Sequence, residues 1–255
     1  MPHHNLDFVI GGAQKAGTCT LDALFRQHPQ IEMAAIKETH FFDDEERDWN
    51  APDYSALDSL FSSRDNRLRG EATPITMYWK PAIPRLHNCN PDIKIILSLR
   101  NPITRAFSNW RLEYCRGNEK LPFSQAIRGG RNRVRAQTTP GGLHRFFAYV
   151  ERGLYGDQLS YLCSHIPMRN IHCEIYEEFF CDRSAGLQRL ATFLGIDRFP
   201  AKIPEIHLNP AQEFRYPSSL TEEDADYLSS LFRDQIGLVE EFIGRPIPSW
   251  RSAGV

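Results

Sequence analysis

Gly12-Ala13-Gln14-Lys15-Ala16-Gly17-Thr18 brackets a lysine between two glycines in a G-x-x-x-x-G spacing. That spacing lets backbone N–H groups curl around an anion at the start of a helix, where open donors and the helix dipole both favour negative charge. A Walker A loop carries its lysine directly after the second glycine, followed by the Ser or Thr that holds Mg²⁺. Here Thr18 follows Gly17, and the lysine is Lys15, two residues before that glycine. A lysine on the loop itself can sit beside the bridging oxygen of a short bound anion, where charge develops as the terminal group leaves. This suits metal-free transfer of a singly charged group. Alone, the loop reads better as a glycine turn between strand and helix with a solvent-facing lysine.

Three further features add to it. In Lys37-Glu38-Thr39-His40-Phe41-Phe42, an extended backbone would set Glu38 and His40 on one face, since side chains two apart point the same way. A carboxylate and an imidazole could then converge on an acceptor hydroxyl as general base and partner. Leu99-Arg100-Asn101-Pro102 ends an apolar run in arginine, at the carboxyl edge where open α/β sheets bind ligands. Ser108 lies eight residues on, about two helical turns away, near enough to share an anion with Arg100.

The elements that must position these groups repeat one grammar. Leu6-Asp7-Phe8-Val9-Ile10 predicts a strand that stops at Gly11-Gly12, and Leu21, Leu24, Phe25 and His28 then have helical spacing before Pro29. Ile93 to Leu99 is a nearly continuous apolar run, as in a strand covered on both faces. Asn101-Pro102 breaks it, and Ala106, Phe107, Trp110 and Tyr114 form the next helical stripe. Ile171 to Tyr176 predicts another strand, and Leu187, Leu190, Ala191 and Leu194 a helix closed by Gly195. Thr221 with Asp224 resembles a capping box ahead of the stripe Leu228, Leu231, Phe232, Ile236, Val239 and Ile243. Strands alternating with helices predict an α/β fold: a single P-loop-like domain over residues 1–255, with a central, largely parallel sheet flanked by helices. The stretch from Arg128 to Gly142, with Arg131, Arg133 and Arg135, fits neither period. It predicts an exposed loop, solvated or holding an anionic acceptor such as a uronate-containing glycan. The acidic run Asp43 to Asp48 reads as a solvated face apart from Asp43, and Tyr78, Trp79 and Trp110 read as core aromatics.

Composition closes off other classes. With 255 residues, 41% hydrophobic and 24% charged, the chain can bury a core and is neither collagen-like nor disordered. Thirty Lys and Arg against 32 Asp and Glu give a net charge of −2, no field for wrapping nucleic acid. No run reaches the roughly 18 apolar residues of a membrane span, and Met-Pro-His-His-Asn-Leu-Asp does not read as a signal peptide. The expected location is cytoplasmic. Six cysteines without a C-x-x-C pair predict reduced, mostly buried thiols. Nine histidines without H-x-H or H-x-x-x-H spacing predict no metal site.

Taken together, these motifs closely resemble the sulfotransferases that use 3′-phosphoadenosine 5′-phosphosulfate (PAPS), most of all the heparan sulfate N- and 3-O-sulfotransferase domains and their bacterial relatives. The resemblance rests on Gly11 to Thr18, on Lys37 to Asp43, on Leu99 to Pro102 with Arg105 and Ser108, and on Arg215-Tyr216-Pro217. It implies that Lys15, Ala16, Gly17, Thr18, Cys19 and Thr20 hold the 5′-phosphosulfate, and that Arg100 and Ser108 hold the 3′-phosphate. Glu38 would be the base, with His40 and Asp43 beside it on the acceptor side, and a basic loop ending in Arg215 would close over the donor. That loop reads Gln212-Glu213-Phe214-Arg215 where relatives often carry Lys-Gly-Arg, and Ala72 stands where relatives commonly carry lysine. The implied reaction is metal-independent, in-line displacement at sulfur onto a hydroxyl or amine of a glycan, lipid or small natural product, releasing adenosine 3′,5′-bisphosphate.

Two alternatives stay open. A P-loop phosphotransferase or hydrolase needs a lysine after Gly17 and an Asp after a second strand for Mg²⁺, and neither is seen. A non-catalytic nucleotide- or glycan-binding module would tolerate loss of Glu38 or Lys15, yet both are present.

Overall fold

Five strands, all parallel, form one sheet in the order β2-β3-β1-β4-β5 in a computed structural model of the protein. The structure describes residues 6–62, 66–135, 142, 144–200 and 216–251. The main elements are β1 (Phe8–Gly12), α1 (Thr18–Phe25), β2 (Ile31–Met33), β3 (Leu68–Ala72), α2 (Ala82–Cys89), β4 (Lys94–Leu99), α3 (Pro102–Cys115), β5 (Ile171–Ile175), α4 (Tyr176–Cys181), α5 (Arg183–Leu194) and α6 (Glu222–Ile243). Among the described residues, no helix is long and apolar enough to cross a membrane.

The strands expected in the three apolar runs all form, with one difference at the first. β1 runs on through Gly11 and Gly12, because after a register shift Gly12 still pairs with Leu97 of β4. The two remaining strands escape an apolar pattern. β3 reads Leu-Arg-Gly-Glu-Ala, yet Arg69 and Glu71 are buried in it. Arg69 reaches Glu32 of β2 at 3.6 Å, so adjacent strands hide each other's charge. Gly70 is required by packing: a Cβ there would fall 2.1 Å from Cζ of Phe8.

The chain divides into two compact units, Met1–Leu99 with Tyr161–Pro210, and Arg100–Ser160 with Ala211–Val255. In the first, Phe8 and Ile10 of β1 and Ile96 of β4 pack with Leu21, Leu24 and Phe25 of α1 and Leu187, Leu190 and Leu194 of α5. Burying each such side chain contributes about 1.5 to 3 kcal/mol. Gly195 closes α5 at φ 78°, as the sequence anticipated.

In the second unit, Asn101 caps α3 by accepting from the N–H of Ile103 at 3.0 Å, and Pro102 occupies the first turn. Trp110 is fully buried beside Phe107 and Phe123. Thr221 caps α6 through the N–H of Asp224, but the capping box is only half made. The Asp224 carboxylate takes its bonds from Ser124 and Arg128 instead.

Two expectations are corrected. The described part of the arginine-rich stretch is short helical turns, Gly129–Arg131 and Asn132–Arg135, and Arg128, Arg131 and Arg133 are spent internally. Arg128 pairs with Asp224, Arg131 with Glu151 at 2.8 Å and Arg133 with Glu119 at 2.7 Å. A periodicity search misses segments held by ion pairs rather than by an apolar stripe. The cysteines are free, but Cys115, Cys163 and Cys181 are exposed and only Cys89 is buried outright.

Candidate active site

The glycine loop connects β1 to α1 and is laced to β4. Ala13 N–H donates to Ser98 O at 2.7 Å, and Ser98 Oγ donates to Ala16 O at 2.6 Å. Lys15 and Gly17 both take left-handed backbone, φ 70° and 78°. Glycine is needed at 17 twice over, since a Cβ would also meet the rings of Tyr176 and Phe180 of α4 at 3.0 Å. α1 starts with no side-chain cap and no acidic residue in its first turn. The N–H groups of Thr18, Cys19 and Thr20 therefore have neither intrahelical acceptors nor a local carboxylate, which is the donor set an anion needs. These donors, with Lys15 on the loop, fit a phosphosulfate.

Glu38 and His40 do converge, though not through extended backbone. Both are left-handed, φ 59° and 51°, in a turn after β2. Glu38 N–H donates to Ala72 O of β3 at 2.9 Å, which ties the turn to the sheet. His40 Nε2 lies 3.6 Å from Glu38 Oε2, while His40 Nδ1 lies 2.9 Å from Asp43 Oδ2. Lys37 Nζ donates to Glu38 Oε1 at 2.8 Å and lies close enough to Cys19 for the thiol to bear on its charge, which sets the proposed base near the first turn of α1. The motif containing Lys37 is plain in the sequence, but nothing there shows that its ammonium lies near both groups.

The electrostatics separate the candidate bases. The His40 imidazolium 3.6 Å away, followed by Lys37 against the opposing effect of burial, holds Glu38 down at about 2. Asp43 first, then Glu38, push His40 up to about 9. Lys37 is likewise raised: burial works against its charge, but Glu38 and Cys19 outweigh it. At neutral pH the turn holds an ionised carboxylate between two cations, and its imidazole has no free lone pair for a proton. With Glu38 45% and His40 47% exposed, the cluster faces solvent. Asp43 is 1% exposed and braces His40 from behind.

Arg100 and Ser108 belong to the second unit. Arg100 Nε donates to Thr104 Oγ1 at 3.2 Å, and Arg100 O accepts from Tyr155 OH at 3.0 Å. The guanidinium thus leans along α3 toward Thr104, one helical turn before Ser108 on the same face. Arg215 lies outside the described residues. Of the acidic run, Glu45 is not solvated, since it holds Arg85 at 2.6 Å and Trp79 Nε1 at 2.5 Å.

A parallel sheet flanked by helices, with a glycine turn leading from β1 into α1, defines a P-loop-like α/β protein. Residues 5–214 match the sulfotransferase domain family, and the chain belongs to it. It is 28% identical over 193 residues to human heparan sulfate glucosamine 3-O-sulfotransferase 6, covering 74% of this chain and 52% of that protein. It is 31% identical over 126 residues to the membrane-associated sulfotransferase kil1 of Dictyostelium discoideum, covering 48% of this chain and 26% of that protein. The chain thus spans about half the length of the first of these relatives and less of the second. Among solved structures, a sulfotransferase from Alicyclobacillus acidocaldarius superposes with a TM-score of 0.80 at 25% identity, over 97% of this chain and 99% of that one. A mouse sulfotransferase, SULT7A1 complexed with PAP, shares the fold with a TM-score of 0.51 at 18% identity, over 93% and 89% of the two chains.

Proposed function

We propose that the chain, as one domain over residues 1–255, transfers the sulfuryl group of PAPS to a hydroxyl or amine of a glycan, lipid or small natural product. The observation that carries this reading is the joint placement of Glu38, Lys37 and the first turn of α1. Lys15 and the amides of Thr18 to Thr20 hold the phosphosulfate, the Ala16 N–H being taken by Ala13 O at 3.1 Å, and Arg100 with Ser108 holds the 3′-phosphate. Glu38 takes the acceptor's proton, the acceptor atom bonds to sulfur, and the sulfur–oxygen bond to the 5′-phosphate breaks. Its electron pair stays on the phosphate oxygen, beside Lys15, and adenosine 3′,5′-bisphosphate leaves. Positioning and charge stabilisation supply most of the rate, about 3 to 4 kcal/mol for one well-aimed donor.

His40 is a poor candidate for the base because it stays protonated until about pH 9. A carboxylate held at about 2 is itself a reluctant acceptor. An acceptor hydroxyl that displaces His40 from Glu38 restores part of its basicity and aligns the proton at once. Incubating the protein with sulfur-labelled PAPS and panels of glycans, lipids and small hydroxylated compounds tests the function. We expect a product heavier by one sulfuryl group, formed in the presence of a chelator. Transfer of a phosphoryl group from ATP, or binding of PAPS with no transfer to any panel, would replace this reading.

A further inference from the structure

Behind the turn lies a carboxyl group that the mechanism above does not use. Glu71 is the fourth residue of β3 and is 1% exposed. Its Oε2 accepts from Thr73 Oγ1 at 2.5 Å and from Thr39 Oγ1 at 3.1 Å, while its Oε1 is buried with no hydrogen-bond partner. Thr39 is the residue between Glu38 and His40, and its hydroxyl also accepts from Phe41 N–H at 3.3 Å. With Glu38 N–H on Ala72 O, the left-handed turn is fastened to β3 at two successive residues.

The charges around Glu71 decide the state in which it sits there. Lys37 and His40 are the cations of the cluster, and Glu38 and Asp43 already pair with them. The charged groups that bear on Glu71 are Asp43, which repels a negative charge, and His40, already clamped by Asp43 and Glu38. Ala72, next along the strand, brings no cation. A third carboxylate, fully buried and with an empty oxygen, has nothing to offset its desolvation.

We propose that Glu71 is a positioning residue for the transfer reaction: as the neutral acid, it holds the Glu38–His40 turn in place through Thr39. The inference rests on the sulfotransferase reading for its kinetic consequence but not for its geometry. Consistently, burial, offset only in part by the Thr73 and Thr39 hydroxyls, pushes Glu71 up to about 7. Folding binds a proton that the unfolded chain gives up near 4.5, so stability falls as pH rises from there to about 7 and then levels.

The test compares wild type with Glu71→Gln, Glu71→Ala, Thr39→Val and Thr39→Ser. Two measurements are made: transfer kinetics from pH 5.5 to 8.5, and the His40 imidazole resonance by NMR. Glu71→Gln keeps the two hydroxyl bonds and cannot ionise. It should stay within about threefold of wild-type kcat at pH 6 and abolish the decline that wild type shows through pH 7. Glu71→Ala and Thr39→Val should lose about tenfold or more in kcat with the KM for PAPS nearly unchanged, and Thr39→Ser should restore most of it. If Glu71→Gln is as damaging as Glu71→Ala, or Thr39→Val is harmless, the proposal is overturned. Should wild type transfer no sulfuryl group, the functional reading fails while the resonance still decides this one. His40 shifts in Glu71→Ala and Thr39→Val but not in Glu71→Gln if Glu71 positions the turn, and is unmoved in all if it does not.

Discussion

Two glutamates, one in each unit, are equally buried and have opposite surroundings. Glu119 of the second unit has both oxygens filled: Arg133 bonds each of them, Lys120 and Leu121 donate their N–H groups at 2.8 Å, and Tyr149 OH donates at 3.0 Å. Burial works to raise its pKa, yet Arg133 and the two amides hold it below the ordinary carboxylate range. Glu71 of the first unit has two hydroxyls, one vacant oxygen and a neighbouring carboxylate, and is raised to about 7. Burial alone does not set the charge of a carboxyl group; the number of cations and donors facing it does. The lesson extends to the clusters around them. The Glu119 network is closed and spends its charges on itself, whereas the turn of Glu38 and His40 keeps charged groups fixed while leaving them near half exposed.

If that contrast separates chemistry from scaffolding, variants in the two clusters should fail in different assays. The largest effect is expected at Glu38. Glu38→Gln keeps size and hydrogen bonding but cannot take a proton, so single-turnover transfer should fall by about 10²- to 10⁴-fold. Affinity for adenosine 3′,5′-bisphosphate, read by calorimetry, should stay within a few-fold.

Next comes Lys15→Ala. It should lower kcat by about 10²-fold or more and weaken the bisphosphate far less, because the lysine acts on charge that develops during transfer. Equal losses in turnover and binding would reduce Lys15 to an ordinary phosphate contact.

Glu119→Ala strands Arg133 and should cost about 3 kcal/mol of stability in urea unfolding, with kcat per folded molecule unchanged. A loss of kcat without loss of stability would erase the distinction between the clusters. The smallest effect is the pH dependence contributed by His40. Its folded pKa of about 9 lies above the ordinary 6.5, so the stability it adds is complete below pH 6.5 and is lost as pH rises through 9. Melting temperatures of wild type and His40→Gln from pH 6 to 9.5 should therefore draw closer as pH rises.

How much of this was legible beforehand depends on what each segment is held by. β1, β4 and β5 and helices α3, α5 and α6 show in the sequence because apolar periodicity holds them. β2 and β3 do not, because Glu32, Arg69 and Glu71 interrupt the apolar pattern and find their partners only across the sheet or in the turn above it. The loop, Glu38, His40 and Asp43 were legible as motifs. Their geometry was not: an extended Glu38-Thr39-His40 gives the same convergence as the left-handed turn that forms, so the right pair followed from a wrong backbone. The basic stretch is the reverse case, since four arginines suggest an anion site, but Asp224, Glu151 and Glu119 claim three of them from up to 96 residues away in sequence.

The central claim is that Glu38 takes the acceptor's proton while His40 is locked as the imidazolium. It is tested most directly by the pH dependence of the single-turnover rate with saturating PAPS and acceptor, measured from pH 5 to 7 in Glu71→Gln so that the neighbouring acid does not contribute. Because Glu38 still keeps Lys37 when the acceptor displaces His40 and so ionises no higher than an ordinary carboxylate near 4.5, and because His40 keeps Asp43 and stays protonated, the rate should be flat across that range. A rate that climbs tenfold per pH unit below a midpoint near 6.5 would show a histidine losing its proton to become the base, and would contradict the account.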